Sequence, residues 1–244
     1  MIAFFDVDGT LLDGSSGNMI VKYMVKEHLL GWDAVWKALK YTALYKLNIL
    51  PYEEVYRWSF KASADQPIDE LTDMLDRVYE TYLLPMFFEE GRRKIQEHKA
   101  RGDLTVIATA EGEYIAEKVR AQFGADEKIA ARAPVREGRV TAELEMPLPY
   151  AEGKLELARR MAESRAVSLA DCYFYSDSAS DFPLLAAVGY PVLVNPQWKL
   201  LRKVKGRNWP VERWKGYARF PQASRAVRLS WAVEEPGLDG VDAG

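Results

Sequence analysis

The sequence predicts an α/β fold: a parallel sheet with helices on both faces, interrupted once by an all-helical insertion. Three observations predict it. Four short apolar runs, Ile2–Phe5, Leu104–Ala108, Tyr173–Tyr175 and Pro191–Val194, have the length and composition of buried strands. Helically spaced stretches lie between them, and strands alternating with helices argue for a parallel sheet. The segment from about Asp13 to Leu84 breaks the alternation, with helical patterns and no strand-like run.

Each element has its own signal. The opening run is apolar at every position, as in a strand covered on both faces. Within the insertion, Met19, Ile20, Tyr23 and Met24, and later Leu71, Met74, Leu75 and Val78, recur at helical spacing. Pro51 and Pro67 stand where helices can start. Residues Arg92–Arg101 read as a helix stopped by Gly102 ahead of the second strand. The expected organisation is a core of residues 1–12 and 85–233, a helical insertion at 13–84, and an acidic, glycine-rich, flexible tail at 234–244.

Composition narrows the class. A chain of 244 residues with 48% hydrophobic and 28% charged content can bury a sizeable core. A net charge of −3 points to no class of partner. The single cysteine, Cys172, excludes an intrachain disulfide and a cysteine-cluster metal site, and its apolar neighbours make it a buried hydrophobe. The apolar run before Asp6 is too short for a signal peptide, and no stretch approaches the roughly 20 apolar residues of a spanning helix. A cytoplasmic, soluble protein is expected.

Ligands of such sheets bind beyond the carboxyl ends of the strands, so the residues after each run come first. Asp6-Val7-Asp8-Gly9-Thr10 follows the first run. Its two carboxylates, spaced i, i+2, could hold a divalent cation, and Gly9 permits a sharp turn and offers an unobstructed N–H. Thr109 closes the second run, and Lys154 follows Glu152-Gly153 into a helical stretch. Ser176-Asp177-Ser178-Ala179-Ser180-Asp181 follows the third.

In this order the four segments resemble the motifs of the haloacid dehalogenase superfamily. The closest likeness is to its phosphoserine-phosphatase-like branch, which carries a helical cap after the first motif. The stretch from Tyr175 to Pro196, His98-Lys-Ala-Arg-Gly102 and Gly206-Arg-Asn-Trp-Pro210 fit the same branch, so the resemblance covers roughly residues 1–210. It implies a Rossmann-like core with an inserted α-helical cap, and magnesium-dependent hydrolysis of a phosphomonoester. By resemblance Asp6 is the nucleophile that becomes phosphorylated and Asp8 the general acid and base. Gly9, Thr109, Ala110 and Lys154 would hold the phosphoryl group. Magnesium would take the carboxylates of Asp6 and Asp177 and the backbone carbonyl of Asp8, with Asp181 behind them. Four converging carboxylates need such a cation, and magnesium is a hard ion suited to oxygen.

Departures from the branch matter for substrate. Glu111 stands where relatives carry small or hydroxyl residues, and is read as a helix N-terminal residue directed away from phosphate. Ser15 stands near the place where phosphoserine phosphatases carry an acid for the substrate's amine; Asp13 could substitute or cap a helix. His28 and His98 match no catalytic position. The aromatic residues Trp32, Trp36, Tyr41, Tyr45, Tyr56 and Trp58 are read as packing between insertion helices. Residues 199–228 hold ten Lys or Arg and one acid, interleaved with aromatics, and are read as a solvated helix and an extension packing on the core.

The leading expectation is a phosphatase acting on a small soluble phosphorylated metabolite, with no nucleic-acid partner and no favoured membrane contact. The alternatives are a phospholipid-linked phosphomonoesterase at a membrane surface and a non-catalytic binding module. The complete set of Asp6, Asp8, Thr109, Lys154, Asp177 and Asp181 weighs against the module.

Overall fold

The computed structural model describes residues 1–31 and 64–220, with isolated positions between them. Trp32, Tyr45, Pro51 and the tail at 234–244 lie outside the described residues.

Strand β1 (Ile2–Phe5) leads into helix α1 (Ser16–Lys26), and α2 (Ile68–Val78), continued by a π-helical turn at Tyr79–Leu83, closes the described part of the insertion. Helix α3 (Glu89–Ala100) then feeds β2 (Leu104–Gly112), followed by α4 (Glu113–Phe123) and β3 (Glu127–Ala131). A small antiparallel hairpin, β4 (Val135–Arg136) and β5 (Arg139–Val140), precedes α5 (Glu152–Glu163) and β6 (Tyr173–Ser176). The chain continues through α6 (Phe182–Ala187), β7 (Tyr190–Val194), α7 (Trp198–Lys203) and β8 (Val211–Glu212). The main sheet has six strands, ordered β3-β2-β1-β6-β7-β8, and every pairing in it is parallel.

All four strand runs read from sequence are in this sheet. Strands β3 and β8 were not anticipated. The first mixes charged residues with small ones and the second is two residues long, so neither carries an apolar run.

Alternation along the strands builds two cores. Ala3, Phe5, Ile107 and Tyr175 face a layer containing Ile95 of α3 and Ile115 and Val119 of α4. Ile2, Phe4, Val106 and Phe174 face Ala158 and Ala162 of α5, Leu184 of α6 and Leu200 of α7. Successive side chains on a strand point to opposite faces, so a continuous apolar run serves both layers. Burial of this kind contributes about 25 cal/mol per Å² of apolar surface.

The helical insertion packs on the first layer through Tyr23, Val78 and Leu83. A polar clamp adds to it: Asp76 of α2 accepts a hydrogen bond from Tyr114 at 2.5 Å and pairs with Lys118 at 2.5 Å, both on α4. Among the insertion aromatics, Tyr41 and Trp58 stack with centroids 5.2 Å apart, as the packing reading expects. Trp36 departs from it: 69% of its surface is exposed.

The basic-aromatic C-terminal stretch follows its expected course as far as residue 220. Trp214 is buried, Phe220 packs on Phe87 and Phe123, and Lys203 and Arg207 lie over the Phe182 ring. Among the described residues no helix is long and apolar enough to cross a membrane.

Candidate active site

The loop after β1 carries the first two carboxylates to the carboxyl edge of the sheet. The Asp6 N–H still donates to the Tyr175 carbonyl (3.0 Å), so its side chain starts from a fixed ladder position. Beyond it the chain folds back sharply, with Thr10 N and Leu12 N both donating to the Val7 carbonyl. Gly9 has φ +75°, and a Cβ there would lie 2.3 Å from Asp177 Oδ2. Glycine is therefore needed for conformation and for close approach. The expected free N–H is absent, however, because Gly9 N donates to the Gly14 carbonyl at 2.9 Å. Closing the tight loop consumes that donor.

Lys154 enters from the first turn of α5. A Cβ on Gly153 would meet the Leu148 carbonyl oxygen at 2.0 Å, so glycine lets this helix start against the preceding loop. Lys154 Nζ then contacts Asp6 Oδ1 at 3.0 Å and Asp181 Oδ1 at 2.8 Å, all three groups buried. Burial works to lower the lysine, but Asp181 and Asp6 overcome it and hold the ammonium above its ordinary range. Burial, opposed by Lys154, pushes the Asp6 carboxyl well up.

Asp177 and Asp181 follow β6. Asp181 is fully engaged, accepting a bond from Ser176 Oγ at 2.7 Å besides its pairing with Lys154. Asp177 is not. Gln197 Nε2 donates to its Oδ2 at 2.7 Å, while Oδ1 is buried with no hydrogen-bond partner. Burial raises Asp177 to about 7 even with Gln197 working against it. A buried carboxylate oxygen without a donor is costly unless a cation reaches it.

Asp8 sits apart from Lys154's contacts. Ser16, at the start of α1, gives it both the backbone N–H (3.0 Å) and the hydroxyl (2.7 Å). Burial raises Asp8, and these two bonds oppose the shift. Thr109, buried at the turn of β2, accepts from Glu111 N at 3.1 Å, leaving its own O–H to donate. Ala110 and Glu111 follow it into the same cavity of about 530 Å³, which Asp6, Asp8, Gly9 and Lys154 also line.

Glu111 corrects an expectation. Strand β2 runs on to Gly112 with a register shift after Ala108, so the first helical acid is Glu113 and not Glu111. Glu111 turns inward, against Asp8, Ser16 and Gly17 of the loop after β1. Burial and the charge of Asp8 push it up to about 8. Asp13 turns the other way: the Tyr217 hydroxyl donates to it at 2.5 Å, and it does not line the cavity.

The structure thus brings Asp6, Asp8, Gly9, Thr109, Ala110, Lys154, Asp177 and Asp181 together, as read from sequence. His98 lies elsewhere, buried between Asp103 and Tyr175, and His28 does not line the cavity. Sequence reasoning missed or underweighted Ser16, which grips Asp8 without lining the cavity, and the lining residues Asn18 and Gln197, of which Gln197 grips Asp177. Asn195-Pro196 marked the neighbourhood of Gln197, but no sequence pattern pairs it with Asp177.

Residues 3–186 match the sequence profile of the haloacid dehalogenase-like hydrolases. The chain belongs to that family. It is 31% identical to a "probable phosphatase" of Mycobacterium tuberculosis, over 86% of this chain and 74% of that protein. It is 27% identical to a histidinol-phosphatase of Neisseria meningitidis, over 86% of this chain and 97% of the other. By kinship this haloacid dehalogenase-like hydrolase sits among the family's phosphatases. A phosphoserine phosphatase solved as a phospho-aspartyl intermediate analogue superposes with a TM-score of 0.66, over 88% of this chain and 94% of that one. At 19% identity that likeness establishes a shared fold: the parallel sheet with a helical region inserted between β1 and β2.

Proposed function

We propose that this hydrolase is a magnesium-dependent phosphomonoesterase working through an aspartyl phosphate on Asp6, on a small soluble metabolite in the cytoplasm. The observation that carries the reading is the arrangement of Asp6. Its carboxylate lines the cavity at the end of β1, fixed by Lys154, with Asp8 two residues away and separately held by Ser16.

Two carboxylates in different settings suit two roles. Asp6 attacks phosphorus as the bond to the leaving oxygen breaks, and the leaving oxygen takes the proton of Asp8. Water then attacks phosphorus, gives its proton to Asp8, and phosphate departs from Asp6. Burial that raises Asp8 favours a proton there for the first step. The hydroxyl of Thr109 donates to a phosphoryl oxygen, and the ammonium of Lys154 offsets the developing charge.

The donor set fits magnesium. The carboxylate of Asp8 is taken by Ser16 and that of Asp181 by Lys154 and Ser176, which leaves Asp6 and the unpartnered oxygen of Asp177. One or two carboxylates with waters and substrate oxygens is a usual magnesium environment. Asp6, Asp177 and the Asp8 carbonyl would hold the ion, and bound magnesium would neutralise charge on the phosphoryl oxygens. We read residues 13–84 as a cap over the site and 1–12 with 85–233 as the core.

The deciding experiment follows p-nitrophenyl phosphate hydrolysis by the purified chain with magnesium and with excess EDTA. Turnover that requires magnesium is the expected result. Turnover indifferent to EDTA, or none on any member of a phosphomonoester panel, overturns the reading.

A further inference from the structure

Beyond the groups around phosphorus, the cavity is lined by Ser15, Asn18, Glu111 and Tyr150, with Gly14 between the first motif and α1. Its charge is one-sided. Lys154 is the one cation among the described lining residues, and Asp6 and Asp181 already hold it. Glu111 meets Asp8, and both lean on Ser16. Among the described residues no lysine or arginine pairs with either carboxyl group.

We propose that Glu111 is a specificity residue, selecting phosphomonoesters whose leaving alcohol carries an amine and no carboxylate. The inference rests on the phosphomonoesterase reading above and adds the substrate class. An ammonium on the leaving group donates a charge-assisted hydrogen bond to the Glu111 carboxylate and supplies the cation that the Glu111–Asp8 pair lacks among the described residues. A hydroxyl in its place gains only a neutral bond. A carboxylate adds a further anion to a lining whose described cation is already engaged. Phosphoserine carries both groups, so the attraction of its amine is offset by its carboxylate.

The test measures kcat/KM, with magnesium, for phosphoethanolamine, 2-hydroxyethyl phosphate and phosphoserine, in the parent and in Glu111→Gln. The first two substrates differ only by ammonium against hydroxyl. The parent is expected to favour the amine over the hydroxyl about ten-fold or more, and over phosphoserine as well. In Glu111→Gln the amine-to-hydroxyl ratio should fall towards one. A general disturbance of the site would lower all three values and leave that ratio standing, which would overturn the proposal. A parent ratio near one, or phosphoserine ranked first, would also overturn it. Failure of the parent to hydrolyse p-nitrophenyl phosphate would remove the underlying reading and the inference with it. Turnover of that ester without amine preference would remove the inference alone.

Discussion

Two buried ionisable clusters flank the same central strands, and they are built to opposite specifications. Against β6, His98 of α3 has both ring nitrogens engaged, by Asp103 at 2.8 Å and the Tyr175 hydroxyl at 2.9 Å, with Phe5 and Tyr173 edge-on to the ring. Asp103 is approached further by Arg101 and by the Met1 amine. At the carboxyl edge, Asp6, Asp177, Asp181 and Lys154 crowd together, and one buried oxygen is left without a partner. A satisfied network specifies structure, whereas an unsatisfied one is tolerated where a ligand will complete it. The difference locates function more sharply than burial or charge alone, since both clusters are buried and charged.

The hardest test of that contrast is Asp6→Asn. Aryl phosphate turnover should drop by roughly 10⁴-fold or more, as when a covalent nucleophile is removed. Thermal stability should hold or rise, because one charge leaves a crowded site. Full activity in this variant would remove Asp6 from the nucleophile's place.

Asp177 and Asp181 divide the site further. Asp177→Ala should raise the magnesium concentration for half-maximal activity by about 10-fold or more, since its free oxygen is the one offered to an ion. Asp181→Ala should shift that concentration less and lower stability, because Lys154 and Ser176 lose a buried partner. Titration of activity with magnesium beside thermal melts separates the two. Equal shifts in half-saturation would erase the distinction.

The two clusters should also bend stability with pH in opposite senses. Burial pushes the Asp177 carboxyl up to about 7 in the folded protein, against about 4 in the unfolded chain. Between those values the folded state binds more protons, so this group makes stability fall as pH rises, and magnesium should stabilise more at the upper end. His98 is pushed below its ordinary value by burial, against the pull of Asp103. The unfolded chain therefore takes up that proton first, and this group makes stability fall as pH drops through about 6.5. Urea midpoints across pH 5–8 should lose the first slope in Asp177→Asn and the second in His98→Gln. Superimposable curves for parent and variant would refute the corresponding assignment.

The smallest expected effect is that of His98→Gln at neutral pH. It should cost roughly 1–3 kcal/mol by weakening the bonds to Asp103 and Tyr175. Aryl phosphate turnover should stay near the parent level. A large loss of turnover at unchanged stability would place His98 in the chemistry after all.

By itself the sequence determined what depends on local pattern and chain order. The four apolar runs became the four central strands of the sheet, because strands buried on both faces need uninterrupted apolar residues. Asp6, Thr109 and Asp177 could be read together because the carboxyl ends of neighbouring parallel strands converge on one crevice, whereas Lys154, in the first turn of α5, was reached through the resemblance to the family. Only the tertiary structure decided where side chains turn within that crevice. The run-on of β2 to Gly112 sent Glu111 towards Asp8, and loop closure took the Gly9 N–H. Asp181 found Lys154, Asp13 found Tyr217, and Asp177 was left with an unpaired oxygen. Apart from the Gly9–Gly14 closure, these contacts join residues tens to hundreds of positions apart, and bonds of a few ångströms across such separations leave no spacing in the chain from which to read them.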